Sequence, residues 1–213
     1  MTRFDKFFGL KAITLSAALS MTAGMALAGD NNVSTDKILD ALKPKPLTRG
    51  LSVGPQADTA AQAKESTFLN TVRNRSTRSL SIGEREQIAE LAATKPKIDL
   101  EIQFDYNSAD IAKSSMASVQ ALGKALSDPA LKGSTFVVAG NTDATGGEEY
   151  NQGLSERRAD TIKKYLVQNY GLNGTDLVTV GYGETKLKDA SKGGDPINRR
   201  VQVVNMDTKT ASK

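Results

Sequence analysis

Between Pro96 and Met206 the apolar residues keep changing their period, and the order of those changes restricts the fold more than any other feature of the chain. Ile98, Leu100, Ile102 and Phe104 alternate with Asp99, Glu101 and Gln103, the period of two expected of a half-buried strand. Ser108 can cap a helix from Ala109 to about Ser127, with Ile111, Val119, Leu122 and Leu126 on one side and Asp128-Pro129 ending it. Thr135 to Ala139 reads as a second strand. A longer helix is expected from about Gly147 to Asn169, because Tyr150, Leu154, Ile162 and Leu166 are spaced by multiples of four and Gly171 offers a stop. Leu177–Val180 and Arg200–Val204 complete the set as strands joined by a polar, glycine-rich loop, Lys186 to Asp195. The order strand, helix, strand, helix, strand, strand predicts an α+β domain, an α/β sandwich with helices packed on one mixed sheet, over residues 96–206.

The chain ahead of this domain reads differently. Positive residues Arg3, Lys6 and Lys11, an apolar run from Ala12 to about Ala23 and then Ala26-Leu27-Ala28 have the form of a cleavable signal peptide, residues 1–28. The apolar run is shorter than the roughly 20 residues needed to cross a bilayer. Residues 29–80 hold few large apolar side chains and are expected to form a flexible N-terminal arm. Within the arm, residues 36–42 can form two helical turns before Pro44 and Pro46, either docked or transient. Arg73, Arg75 and Arg78 read as a solvated linker face, with contact to an anionic polymer or lipid as the alternative. Ser81-Ile82-Gly83-Glu84 fits a capping box and opens a short leading helix, with its linker, over residues 81–95. Residues 207–213 are expected to be a disordered tail.

Composition removes whole classes of chemistry. The chain has no histidine, which excludes a Ser-His-Asp triad, a Cys-His pair and histidine-ligated zinc, and no metal site or cofactor is expected. It has no cysteine, so an exported form would carry no disulfide and no lipidated cysteine. With no tryptophan and few aromatics to stack sugar rings, a glycosidase is disfavoured. The pI of about 9.2 could suggest nucleic acid. However, the signal segment itself contributes three of the basic residues against one acidic, which leaves the mature charge nearly balanced and argues against a nucleic-acid partner. The reading is a binding or scaffolding protein, not an enzyme.

The candidate site lies around Gly140-Asn141-Thr142-Asp143 and the helix that follows. Asn151 and Arg158, seven residues apart, share a helix face, while Asp143 sits at the carboxyl end of a strand just before that helix. A carboxylate beside a guanidinium matches an amino acid head group, the ammonium going to Asp143 and the carboxylate to the planar fork of Arg158. Spacing alone leaves open, at even weight, that Asp143 merely pairs with Arg158 or caps the helix.

Five separated blocks, Gly140-Asn141-Thr142-Asp143, Tyr150-Asn151, Leu154-Ser155-Glu156-Arg157-Arg158-Ala159, Gly181-Tyr182-Gly183-Glu184 and Asn198-Arg199-Arg200-Val201, resemble the OmpA-like peptidoglycan-binding domain. That family is shared by outer-membrane porin tails, peptidoglycan-associated lipoproteins and flagellar stator proteins. The entry Phe104-Asp105-Tyr106-Asn107-Ser108-Ala109 is similar as well. The resemblance implies a partner, peptidoglycan, held through the meso-diaminopimelate of its stem peptide by Asp143 and Arg158. It implies that Asn151 lines the pocket, that Thr142 and Leu154 flank it, that Tyr106 and Asn107 form the opposite wall, and that Arg200 or its neighbour Arg199 approaches the ligand. Export by the cleavable signal segment points to a periplasmic location, with outer-membrane association open. Asn141 replaces the histidine usual in the family, and the loop from Lys186 to Ile197 lacks the proline usual soon after Gly183-Glu184. The alternative is an adaptor whose N-terminal arm docks on an outer-membrane or periplasmic protein.

Overall fold

The computed structural model describes residues 33–44, 59–105 and 107–207. The signal segment, the C-terminal tail beyond Asp207 and Tyr106 lie outside the described residues. In chain order the elements are α1 (Thr35–Leu42), α2 (Thr59–Val72), α3 (Ile82–Ala93), β1 (Lys97–Leu100), α4 (Met116–Leu126), β2 (Phe136–Asn141), α5 (Glu148–Tyr170), β3 (Leu177–Gly181) and β4 (Arg200–Asn205). The four strands form one mixed sheet in the order β1-β4-β2-β3, with β2 and β3 parallel and both contacts of β4 antiparallel. This is the expected α+β class.

Alternation along the strands sends side chains to two apolar layers. Val138, Val201 and Val203 join Val119, Leu122 and Leu126 of α4 and Ile162 and Leu166 of α5. Val137, Ala139, Val178, Val180 and Val204 face the other way, against Leu69 and Val72 of α2 and Ile88 and Ala92 of α3. Helices therefore cover both faces of the sheet.

The segment read as a flexible arm departs from expectation. Helix α1 is capped by the Ser34 hydroxyl, which accepts from the Lys37 N–H, and it buries Ile38 and Leu42 completely in the first layer. Helix α2, which no periodicity signal marked, closes the second layer; Lys95 and Glu65 pair at 2.7 Å across its contact with the end of α3. Arg73 pairs with Asp176 and Arg75 with Glu84, so two of the three clustered arginines are engaged within the chain. Few apolar residues suffice here because each one is placed against an already formed sheet. Residues 45–58 lie outside the described residues.

Two boundaries also moved. The first strand ends at Leu100; Ile102 is buried beyond it, and Phe104 makes only an isolated bridge to Ile111. The helix expected from Ala109 starts at Met116, after a 3-10 turn at Lys113–Ser115. The hydroxyl of Ser108 instead holds the Asp110 N–H at 2.9 Å, turning the chain back on itself. The capping box at Ser81 and Glu84 and the left-handed Gly171 at the end of α5 are present as expected.

Candidate functional site

A cleft of about 710 Å³ opens where the chain leaves β1 and β2 and meets the first turns of α5. One wall is the segment Glu101 to Asp105 with Asn107, the floor is Thr142, Asp143 and Thr145, the second wall is Tyr150, Asn151, Leu154 and Arg158, and Gly194, Pro196 and Arg199 close the end. The sheet explains how a single helix can supply one whole wall. Gly140 of β2 lies so close to α5 that a Cβ there would sit 2.2 Å from the Ser155 carbonyl oxygen, and at Gly181 it would meet Glu156 Cγ at 2.5 Å. These glycines let α5 lie directly on the sheet and bring Leu154 and Arg158 level with the carboxyl end of β2.

Arg158 is half-buried and its contacts are oriented. Its Nε donates to the Ser108 carbonyl at 3.2 Å, and the guanidinium lies 4.8 Å above the Phe104 ring centroid. No ion pair to Arg158 occurs among the described residues. Burial depresses its pKa from the ordinary arginine value; Tyr150 opposes that and the positive charge of Arg199 adds to it. An arginine still protonated in such a place carries positive charge with no carboxylate in contact with it, Asp143 favouring the charge only from a longer range, which suits an incoming anion.

Asp143 is buried, with one carboxylate oxygen accepting from the Thr145 N–H at 3.1 Å and the other paired with Arg199. It neither caps α5, whose N-cap is Gly147, nor pairs with Arg158, the two alternatives that spacing had left open. Asn151 reaches the cleft edge, but its amide nitrogen is engaged: it donates to the Thr145 carbonyl at 3.2 Å and to Glu184 Oε2 at 2.5 Å. It acts as a brace for the loop carrying Asp143. Thr142 is buried on the cleft and its hydroxyl has no hydrogen-bond partner. Asn107 sits opposite with φ of 54°, a left-handed conformation asparagine tolerates, and accepts from the Tyr150 hydroxyl.

The expectation for Arg200 is corrected. Strand alternation turns it to the α3 face, where it is buried and donates to Asp99 Oδ1 and to the carbonyls of Asn198 and Lys186. Its neighbour Arg199 faces the cleft. Asn141 likewise points to the α3 side, alongside Tyr182 and Arg200, so the residue that replaces the usual histidine lies away from the cleft.

Over residues 103–200 the chain matches the OmpA family. This stretch is an OmpA family domain. Outer membrane porin F of Pseudomonas aeruginosa is 35% identical over 108 residues, covering 50% of this chain and 30% of the porin. The peptidoglycan-associated lipoprotein of Pseudomonas putida is 36% identical over 104 residues, covering 47% of this chain and 59% of the lipoprotein. The chain thus spans less than two thirds of either relative. Among solved structures, the OmpA-like domain of FopA1 from Francisella tularensis aligns with a TM-score of 0.44 at 25% identity, over 50% of this chain and 69% of that one.

Within the OmpA family domain, the positioning roles of two matched motifs were not read from sequence. Gly183, at φ of 52°, accepts the Thr142 N–H at 2.9 Å, and Glu184 receives the Asn151 amide, so Gly181-Tyr182-Gly183-Glu184 braces the cleft floor. Asn198 is fully buried and holds the loop from Lys186 in shape: it accepts from the N–H groups of Lys188 and Asp189 and donates to the carbonyls of Lys192 and Gly193. A polar residue in a glycine-rich loop directly before a strand was the available signal, though pairing of that kind has no period to detect.

Proposed function

We propose that the OmpA family domain binds peptidoglycan non-covalently, taking the free amino acid end of meso-diaminopimelate in the stem peptide, and so anchors or organises the cell envelope as a binding protein, not an enzyme. The observation that carries the reading is Arg158, half-buried on the cleft wall with its charge unpaired among the described residues, across from the carboxylate of Asp143. Arg158 takes the ligand carboxylate through two parallel hydrogen bonds, and Asp143 takes the ammonium. Thr142 offers its unpartnered hydroxyl, Leu154 and the Phe104 ring exclude water around the stem, and Asn151 holds the loop of Asp143 in place. The name of the Pseudomonas putida relative, a peptidoglycan-associated lipoprotein, supports the ligand class. A location in the bacterial envelope, in the periplasm or at the outer membrane, follows from the same reading.

Co-sedimentation with purified sacculi tests this. The wild-type chain is expected in the pellet and Asp143→Ala/Arg158→Ala in the supernatant; wild type left in the supernatant, or a double variant that pellets equally well, overturns the proposal. The adaptor reading loses support, because Ile38 and Leu42, within the 36–42 segment of the arm, are buried against the chain's own sheet and α4.

A further inference from the structure

Asp143 and Arg158 are the two ends of an amino acid clamp only if Asp143 is free to receive an ammonium, and it is not free. One of its oxygens accepts the Thr145 N–H and the other is paired with the Arg199 guanidinium. The asymmetry of burial is informative: the Asp143 side chain is 12% exposed and that of Arg199 is 47% exposed. The carboxylate is fixed in the floor while its partner is a solvated arm that can swing away. Arg199 sits on the strand-entry loop held by Asn198, so the backbone beneath it stays in place when the side chain moves.

We propose that Arg199 is an internal competitor for the ammonium seat of this cleft, occupying Asp143 in the free protein and being displaced when a zwitterionic ligand binds. The proposal rests on the amino acid clamp proposed above. In the closed state Asp143 and Arg199 offset each other, and Arg158 is the cation of the cleft left without a contacting carboxylate among the described residues, facing the exposed Glu101 and Asp105 of the other wall; a bare carboxylate can reach it without rearrangement of Arg199. With Arg199 displaced, Asp143 and Arg158 present one negative and one positive group, which complements a zwitterion. Arg199 is therefore a specificity-determining residue that raises affinity for simple acids and lowers it for amino acid head groups. A largely solvated ion pair contributes modestly, so the penalty it sets on ammonium binding is about two- to fivefold in affinity.

The test is titration calorimetry of the full chain with two probes of the same length: meso-diaminopimelate, and pimelate, which lacks both amino groups. Arg199→Gln is expected to tighten meso-diaminopimelate by about two- to fivefold and to weaken pimelate. A merely structural role for Arg199 would move both probes in the same direction. In an Asp143→Asn background the gain from Arg199→Gln for meso-diaminopimelate should disappear. Weaker or unchanged meso-diaminopimelate binding by Arg199→Gln overturns the inference, as does tighter binding of both probes or a gain that survives in Asp143→Asn. Arg199→Met serves as the second variant should the glutamine form not fold. Failure of wild type to bind sacculi would instead remove the clamp itself, so the two failures are distinguishable.

Discussion

The side-chain amide of Asn205, on the last residue of β4, donates to the carbonyl of Leu42 at 2.9 Å, joining the carboxyl end of α1 to a strand 163 positions further along the chain. A helix of eight residues is marginal alone in water, and this bond satisfies one of its orphan carbonyls inside the protein. Together with complete burial of Ile38 and Leu42 it makes α1 a component of the core.

Ile38→Ala should therefore destabilise the whole domain by about 2 to 5 kcal/mol, the range for truncating a fully buried aliphatic side chain. Thermal or urea unfolding checks this. A loss below about 0.5 kcal/mol would mean that α1 is detached in solution.

How much of this could be read from the chain depended on whether a residue's partner lies within its own period. The strands from Phe136 onward and α5 were legible because Val137, Val138, Leu154 and Ile162 each repeat with neighbours on the same element. Helix α2 was not: Leu69 and Val72 become core residues only through contact with Ile88 and Val178, and nothing local announces that. In the cleft, Asp143 and Arg158 were legible from spacing and resemblance. The choice between Arg199 and Arg200 depended on strand phase, which is set by the pairing of Asn141 with Arg200 across β2 and β4.

Gly140→Ala should lower stability by about 1 to 3 kcal/mol or more, since its Cβ would overlap the Ser155 carbonyl, a backbone atom that cannot rotate away. Gly83→Ala is the control. It lies in α3 with nothing within 4 Å of an added Cβ, and should be neutral or stabilising by up to about 1 kcal/mol. Chemical denaturation of the two variants compares them directly, and equal effects would contradict the close approach of α5 to the sheet.

The capping box of α3 gives a pH dependence with a definite sign. The Glu84 carboxyl is held below its ordinary pKa, first by the Ser81 backbone N–H, then by the Ser81 hydroxyl and the Arg75 guanidinium. A carboxyl depressed in the folded state contributes stability above its unfolded pKa and loses it as pH falls through the folded value. The stability gap between wild type and Glu84→Gln should be full at pH 7 and close as pH falls from about 4.5 through that lowered value. Urea midpoints of both proteins across that range measure it, and a gap that widened on acidification would contradict the assignment.

Arg158→Lys distinguishes a guanidinium clamp from a simple positive charge. Lysine retains the charge but cannot keep the Nε bond to Ser108 while presenting two parallel donors to a carboxylate. Loss of one charge-assisted bond of about 1.5 to 3 kcal/mol predicts meso-diaminopimelate binding weaker by more than about tenfold, with the unfolding midpoint little changed. Calorimetry beside a thermal melt separates the two quantities. Retention of wild-type affinity by the lysine variant would show that Arg158 acts only through its charge.

Arg200→Ala should do the reverse. The side chain is 8% exposed, is bonded to Asp99 and to the carbonyls of Asn198 and Lys186, and lies on the α3 side of the sheet, away from the cleft. Removing it leaves two backbone acceptors without this donor and Asp99 with one cation fewer, a cost of about 1.5 to 3 kcal/mol for hydrogen bonds to a charged group. Because Arg200 lies on the α3 side of the sheet and does not line the cleft, the folded variant should retain sacculus binding, whereas its unfolding midpoint falls. Pelleting measured well below that midpoint, together with a urea titration, reads the two effects separately. A loss of binding in fully folded Arg200→Ala would return Arg200 to the ligand and overturn the division of labour between the two adjacent arginines.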